Sequence, residues 1–244
     1  MGGGGVGGGR ARRITLTAVA LTAGTGGIDV VSFTRLGGVF TSVMTANIVL
    51  LGLSIARASG TLAGHTALSV GCYVAGVAAA ARAIGPPPPE PPEPPGAPGA
   101  GELAWPGRVT AVFGAELLLL AGLAAGWELT GGRPAGPEQY LLQGIAAAAM
   151  GMQSAAVRGI GADEFSTTYL TGQLTKMVST LAVPGKRRWP GWHLAGPLLA
   201  LIGGAVLSGV LIAAVPDAVP LITFVPLAGV LAAELAARRR PAGR

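Results

Sequence analysis

Long apolar stretches with almost no charge in their interiors are the feature that most restricts how this chain folds. Eight of them follow one another, each about as long as the roughly 20 residues with which a helix crosses a bilayer. Only 11% of all residues are charged, whereas about 25% is typical of soluble domains. We therefore expect an all-α, polytopic transmembrane helical bundle whose main partner is the lipid bilayer. The stretches are 14–33, 40–56, 66–84, 109–127, 140–157, 166–183, 197–215 and 221–237.

The segments outside these stretches suggest the domain boundaries. Residues 1–9 are nearly all glycine and predict a disordered leader. Residues 85–107 contain a run of prolines with few amide donors, which predicts an extended linker. The remaining chain is divided into a first membrane repeat, a second membrane repeat and a basic tail, at 10–84 with 108–133, at 134–240 and at 241–244.

A repeated polar motif suggests that the bundle is built from two internal repeats. The stretch Thr41 to Asn47 has an altered copy at Thr167 to Gln173. Each copy follows a glycine-containing apolar segment with a polar residue near its end, Asp29 in the first half and Gln153 in the second. We therefore expect six to eight membrane segments arranged as two related halves.

The basic residues restrict the topology without fixing the number of crossings. Both ends of the chain are basic, and Lys and Arg are retained on the cytoplasmic side, so both termini are expected in the cytoplasm. Eight crossings are slightly favoured, because 40–56 contains no charge and no proline. Six crossings follow if the two Thr-rich segments are re-entrant, and the repeat is then inverted and not parallel. The basic residues do not form a stripe, so we expect no nucleic acid partner.

Two carboxylates lie inside apolar stretches. An ionisable residue at membrane depth costs about 3 kcal/mol, so Asp29 needs a partner. That partner is either a lipid headgroup or Arg35, or else Asp29 serves a functional site. Glu116 either forms a structural hydrogen bond to a neighbouring helix or takes part in proton coupling.

These features favour a small-molecule transporter or efflux-type permease with a polar site between two repeats. Interrupted, polar segments at corresponding positions of two halves are the best sequence indication of a binding site at the bilayer midplane. The sequence does not name the small molecule. The predicted substrate-binding residues are Asp29, Thr45, Asn47, Gln153, Thr168, Thr171 and Gly172, and the candidate proton sites are Asp29 and Glu116.

Two other functional classes stay open. A non-transporting membrane scaffold or accessory subunit would use the same hydroxyls and amides for helix packing, at about 0.6 kcal/mol each. An intramembrane enzyme with Asp29 and Glu116 as paired carboxylates is the weaker alternative. The chain has no His-Glu-x-x-His or Gly-x-Ser-x-Gly motif, so we expect no enzyme activity, no metal site and no cofactor.

At its polar motifs the chain resembles the YoaK-like membrane proteins, a bacterial family defined by a domain of unknown function. The motifs that carry the resemblance are Gly27-Ile28-Asp29, Leu36-Gly37-Gly38-Val39-Phe40, Met44-Thr45-Ala46-Asn47, Gly151-Met152-Gln153 and Thr167-Thr168-Tyr169-Leu170-Thr171-Gly172. Two residues depart from the pattern: Ala46 stands where the family usually has glycine, and Ser154 where it often has asparagine. The resemblance implies a polytopic protein of the bacterial plasma (inner) membrane and no settled substrate.

Overall fold

The structure is a computed structural model that describes residues 5–86, 105–160, 170–182 and 192–239. Within these ranges every regular element is helical, which confirms the predicted all-α fold. A short 3-10 helix, Pro216–Ala218, precedes the last α-helix. The eight α-helices are α1 (Gly5–Arg35), α2 (Met44–Ala56), α3 (Gly60–Ile84), α4 (Gly107–Leu129), α5 (Pro137–Gly159), α6 (Leu170–Ala182), α7 (Trp192–Ala214) and α8 (Leu221–Arg239).

Five segments are long and apolar enough to cross a bilayer. They are Arg12–Arg35, Gly60–Ile84, Gly107–Leu129, Leu194–Ala214 and Pro216–Arg239. The helix α5 matches α4 in length, at 23 residues each, and is less apolar because it buries Gln143 and Gln153. Large apolar side chains lie on the outside of the bundle, among them Val49 at 72% and Leu118 at 76% exposure. Such a surface suits a lipid environment and not water.

The long helices have their ends at two opposite faces of the bundle. At the first face, here named the Arg13 end, Arg13 near the start of α1 contacts Glu234 near the end of α8 at 3.0 Å. The second face is named the His65 end, after the histidine near the start of α3. There the Gln139 side chain at the start of α5 donates to the Arg35 carbonyl at the end of α1 at 2.7 Å.

The helix α3 runs parallel to α5. Near their starts Gly64 contacts Tyr140, and at their ends Ile84 contacts Gly159. Both helices therefore begin at the His65 end and finish at the Arg13 end. The helix α1 runs the opposite way, as does α7, whose Gly196 near its start contacts Val19 in the first half of α1.

The short helix α2 does not cross the bundle. The helix before it ends at Arg35 and the helix after it begins at Gly60, and both of these points lie at the His65 end. Its 13 residues span only about 20 Å, whereas the hydrocarbon core is about 30 Å thick. The slight preference for eight crossings therefore fails at this helix. The chain turns back at Gly37 and Gly38, whose φ angles of +103° and +75° suit glycine.

The second short helix, α6, also has 13 residues. The helix before it, α5, ends at the Arg13 end, and the helix after it, α7, begins there. The two short helices thus belong to opposite ends of the bundle, and six helices run its length.

The start of α1 bears on one predicted boundary. The helix α1 begins at Gly5, inside the segment 1–9 for which the glycines predict a disordered leader; residues 1–4 lie outside the described residues. Each glycine lowers helix stability by about 1 kcal/mol relative to alanine but does not prevent the helix from continuing. Most of the proline-rich linker, at 87–104, and the basic tail also lie outside the described residues.

The six long helices form two groups that pack together. In one group α1 lies against α7 and α8, and in the other α5 lies against α3 and α4. Contacts of α1 with α5 and of α4 with α8 join the groups, while α2 packs on α3 and α6 packs on α7. The apolar core between them includes Phe113, Leu120, Leu123, Trp127 and Met150.

Within each group two helices approach closely at glycines. A β-carbon at Gly26 would lie 2.2 Å from the Leu201 carbonyl oxygen, and one at Gly204 would lie 1.9 Å from the Ala23 carbonyl oxygen. In the other group, a β-carbon at Gly151 would lie 2.2 Å from the carbonyl oxygen of Tyr73, and one at Gly76 would lie 2.2 Å from that of Ala148. No other residue fits these four positions without moving the backbones apart.

Candidate functional site

A stripe of polar side chains runs along the inward face of α1. Thr22, Thr25, Asp29 and Ser32 follow one another at spacings of three or four residues, which places them on one side of a helix. All four are buried, with exposures of 7% or less. An otherwise apolar membrane helix therefore presents its polar groups to the interior of the bundle.

Asp29 holds the segment that leads into α2. Its Oδ1 atom accepts hydrogen bonds from the backbone amides of Thr41 and Ser42, both at 2.9 Å, and from the Thr41 hydroxyl at 3.1 Å. Its Oδ2 atom accepts from the Ser42 hydroxyl. The partner of this carboxylate is thus the first part of the polar motif, and not Arg35.

Asn47 fixes the same segment from the other side. Its side-chain carbonyl accepts from the Phe40 amide at 2.9 Å, and its side-chain amide donates to the Phe40 carbonyl at 2.6 Å and to the Ser69 hydroxyl at 3.2 Å. Asn47 is fully buried. Together with Asp29, it ties residues 36–43, here named the re-entrant segment, to α1 and α3.

A second polar cluster joins α1, α4 and α5 in the interior of the bundle. The Gln153 amide nitrogen donates to Glu116 Oε1 at 2.8 Å, and the Thr25 hydroxyl lies 3.0 Å from Gln153 Oε1. Glu116 is fully buried, and its Oε2 atom has no hydrogen-bond partner among the described residues. Thr25 lies one helical turn from Asp29, so α1 connects this cluster to the one around α2.

Three further predicted site residues, all among the described ones, are not brought to either cluster. Thr45 is exposed on α2, and Thr171 and Gly172 are exposed on α6, while Thr168 lies outside the described residues. The hydroxyl of Thr175, one turn along α6, donates to the Thr171 carbonyl at 2.9 Å. Hydroxyls that bond to their own helix need no partner helix, which explains how this polar strip is exposed.

Several polar residues that bear on the site are not identified by the sequence patterns. Thr25 lies within a glycine cluster, although its four-residue spacing from Asp29 places both on one helix face. Glu234 is 1% exposed and accepts hydrogen bonds from Arg13 and from Arg238, at 3.0 and 3.1 Å. These bonds join the start of α1 to the end of α8 and so hold the Arg13 end together.

The His65 end is joined by a different set of contacts. His65 hydrogen-bonds through Nδ1 to the side chain of Gln143, whose amide nitrogen donates to the His65 carbonyl at 2.5 Å. The His65 ring stacks on Tyr140 with centroids 3.9 Å apart. Within the described part of the chain, no three His, Cys, Asp or Glu side chains are grouped so as to hold a metal ion.

The apolar helices, the lipid-facing surface and the inward polar clusters define an integral membrane protein with an all-helical fold. The chain belongs to the family described as "Protein of unknown function (DUF1275)", whose model matches residues 17–233. It is similar to the "UPF0700 transmembrane protein YoaK" of Bacillus subtilis (strain 168), with 29% identity over 171 residues, or 70% of this chain and 68% of the relative. No solved structure matches the chain. The resemblance predicted from the polar motifs is therefore confirmed.

Proposed function

We propose that this protein is a small-molecule transporter whose two halves are inverted repeats. The observation that carries the proposal is the placement of two equally short helices, α2 and α6, at opposite ends of the bundle. Discontinuous segments at corresponding positions of two inverted halves are typical of transporters that alternate access around a central site. The first repeat comprises α1 to α4 and the second α5 to α8.

The packing of the helices supports the repeat. When α1 to α4 are exchanged in order with α5 to α8, the contacting pair α1 and α7 becomes the contacting pair α5 and α3. In the same way, the pair α1 and α8 becomes the pair α5 and α4. The same exchange leaves the pairs α1 with α5 and α4 with α8 unchanged, as a two-fold axis between the halves requires. The helices of one half run opposite to their counterparts in the other.

The glycine crossings support it at the level of single residues. On α1, Gly26 follows Ala23 by three positions, and on α5, Gly151 follows Ala148 by three. In both cases the glycine packs on a carbonyl oxygen of the facing helix, and a glycine of that facing helix packs on the carbonyl oxygen of the alanine. If Gly26 is aligned with Gly151, Asp29 aligns with Ser154. The sequence motifs instead pair Asp29 with the preceding residue, Gln153.

The short helices correspond as well, although the spacing from Ser154 to Gln173 is one residue longer than that from Asp29 to Asn47. The fourth residue of each is a buried amide, Asn47 in α2 with 0% exposure and Gln173 in α6 with 5%. In α2 this amide fixes the approach to the helix through its bonds to Phe40 and Ser69. The proposed role of Asp29 and Asn47 is therefore to position α2, while Thr25, Gln153 and Glu116 form the polar groups nearest the centre.

The basic residues favour one orientation of this transporter. More of the described arginines lie at the Arg13 end than at the His65 end, so the Arg13 end is assigned to the cytoplasm. The start of α1 and the end of α8 then both lie on the cytoplasmic side of the bacterial inner membrane. Arginines of the Arg13 end are Arg10, Arg12, Arg13, Arg82, Arg108, Arg158, Arg238 and Arg239, and those of the His65 end are Arg35, Arg57 and Arg133.

The test is uptake or counterflow by the purified protein in proteoliposomes, measured against a broad panel of small polar solutes. Thr25→Val removes a buried hydroxyl of the central cluster, and Thr34→Val makes the same change at an exposed position of the same helix. We expect transport by the wild type and by Thr34→Val, and a loss of at least tenfold in Thr25→Val at equal amounts of folded protein. Equal activity of the two variants contradicts the proposed site.

A membrane scaffold or accessory subunit is the second candidate, and a separate observation favours it. The polar atoms of Asp29 and Asn47 are engaged by the protein itself, which is what a purely structural role requires. This candidate predicts no transport of any solute, together with stable co-purification of a partner protein from native membranes. Transport by the protein alone excludes it.

A further inference from the structure

Glu116 lies in an environment that is unusual for an ionised carboxylate. It is in the middle of α4, it is fully buried, and it accepts one hydrogen bond, from Gln153. Its Oε2 atom has no partner among the described residues. Removing an ionised carboxylate from water costs several kcal/mol unless charges or several hydrogen bonds compensate, and a single amide donor does not.

The hydroxyl of Thr25 gives a second, independent observation. Its Oγ1 atom lies 3.0 Å from the Leu21 carbonyl oxygen and 3.0 Å from Gln153 Oε1. A hydroxyl has one hydrogen, so it cannot donate fully to both of these acceptors. With the Gln153 amide in this orientation, two acceptors compete for one donor.

A half-turn of the Gln153 amide removes that competition. The amide nitrogen then donates to Thr25 Oγ1, which in turn donates to the Leu21 carbonyl. The amide oxygen then faces Glu116 Oε1, and this contact is favourable only if the carboxyl group is protonated and donates. The three side chains thus have two complete arrangements, one for each protonation state of Glu116.

We propose that Glu116 is a proton-binding site and that Gln153 responds to its proton by reversing its side-chain amide. With the proton bound, hydrogen bonds run from Glu116 through Gln153 and Thr25 to the Leu21 carbonyl. With the proton released, Gln153 turns its nitrogen to the carboxylate, and Thr25 donates to the Gln153 oxygen. The proton leaves as a hydronium ion or to a base of the transported solute, and no bond other than O–H is broken.

Among the described residues, no other titratable group is hydrogen-bonded to the Glu116 carboxyl. The carboxyl of Glu116 is bonded to Gln153 and to no charged side chain. In the middle of α3, the hydroxyl of Tyr73 donates to Ser154 at 2.9 Å. The other titratable side chains of the helices packed on α4 are, at the Arg13 end, Arg82, Arg158, Glu234, Arg238 and Arg239, at the His65 end, His65, Glu138 and Tyr140, and within α3, Cys72.

The helix α1 links the Glu116 cluster to the segment before α2. Thr25 and Asp29 are one turn apart on α1, and Asp29 carries the hydrogen bonds that hold Thr41 and Ser42. A change in the direction of the Thr25 bond therefore acts on the helix that positions α2. This consequence rests on the proposed transport function, whereas the proton site itself is testable without any solute.

The test uses dicyclohexylcarbodiimide, a lipid-soluble reagent that modifies protonated carboxyl groups in apolar surroundings. The wild-type protein in proteoliposomes is treated over a range of pH, and the modified residues are identified by mass spectrometry. We expect Glu116 to be modified at neutral pH, with a rate that falls about tenfold for each pH unit above its midpoint. Glu128, exposed near the end of the same helix, is the internal control and stays unmodified.

Two further measurements distinguish a proton site from a structural carboxylate and from a metal-cation site. In Gln153→Met, modification of Glu116 is expected to persist to higher pH, because the charge-assisted hydrogen bond that the ionised form loses is stronger than the neutral bond that the protonated form loses. A purely structural Gln153 would leave the pH profile unchanged. Absence of modification at Glu116, a rate independent of pH, or protection by Na⁺ at fixed pH would overturn the proposal, the last by assigning the site to a metal cation. Failure of transport with normal pH-dependent modification would reject the transporter and leave the proton site intact.

Discussion

Replacing Asp29 tests whether this carboxylate positions the re-entrant segment. Asp29→Ala removes four accepted hydrogen bonds, two from backbone amides and two from hydroxyls. At about 0.6 kcal/mol for a hydrogen bond between membrane helices the loss is about 2 kcal/mol, and at about 1 kcal/mol for a typical protein hydrogen bond it is about 4 kcal/mol. Asp29→Asn keeps the shape and one acceptor oxygen, so we expect it to retain about half of the stability that the alanine variant loses.

The assay is reversible unfolding in mixed micelles with increasing denaturing detergent, followed by circular dichroism. Proteolysis of the folded protein is measured in parallel, and cleavage is expected to increase in the segment around Thr41 and Ser42. A loss of less than about 1 kcal/mol in Asp29→Ala, with unchanged proteolysis, would show that the bonds to this carboxylate do not hold the segment. Such a result would also remove the argument that Asp29 acts on α2.

Three further predictions follow from the fold. Gly151→Ala is expected to destabilise the protein by about 1 to 3 kcal/mol in the same assay, since the added carbon meets the Tyr73 carbonyl at 2.2 Å, whereas Gly172→Ala, in open space, is expected to be neutral or slightly stabilising. Glu234→Ala is expected to cost about 1 to 2 kcal/mol, because both of its arginine partners keep access to water; an effect below about 0.3 kcal/mol would mean that this contact does not hold the Arg13 end. In a Cys72→Ser background, cysteines at 35 and 57, on either side of α2, are expected to react with a membrane-impermeant maleimide from one side and a cysteine at 82 from the other; labelling at 35 and 57 from opposite sides would restore the eight-crossing topology.

The sequence predicted the helices well because long apolar stretches leave few alternatives in a membrane. It did not predict that α2 re-enters, because that depends on the positive φ angles at Gly37 and Gly38 and on bonds to Asp29 from residues twelve and thirteen positions away. A run of 17 apolar residues is at the lower limit for a crossing, so length alone did not decide the question.

The candidate site was predictable only in part, for a related reason. Asp29, Glu116 and Gln153 stand out as polar residues within apolar stretches, and the structure buries all three. The pairing of Gln153 with Thr25 and Glu116 depends on how α1, α4 and α5 pack, which periodicity along one helix does not show. The substrate-binding roles of Thr45, Thr168, Thr171 and Gly172 stay predictions.

In the proposed repeat, one residue distinguishes the two halves next to their short helices. Asp29 aligns with Ser154, which accepts a hydrogen bond from Tyr73 and has no carboxylate with which to hold two backbone amides. The segment before α2 is thus fixed by an acceptor with two oxygens, whereas Ser154 offers a single hydroxyl at the corresponding position. Consistent with this difference, α6 exposes Thr171 and Thr175, and the Thr175 hydroxyl is satisfied within its own helix. A polar strip that needs no fixed partner can exchange neighbours at little cost in hydrogen bonds, so of the two short helices α6 is the one expected to move when the proposed transporter changes its open side.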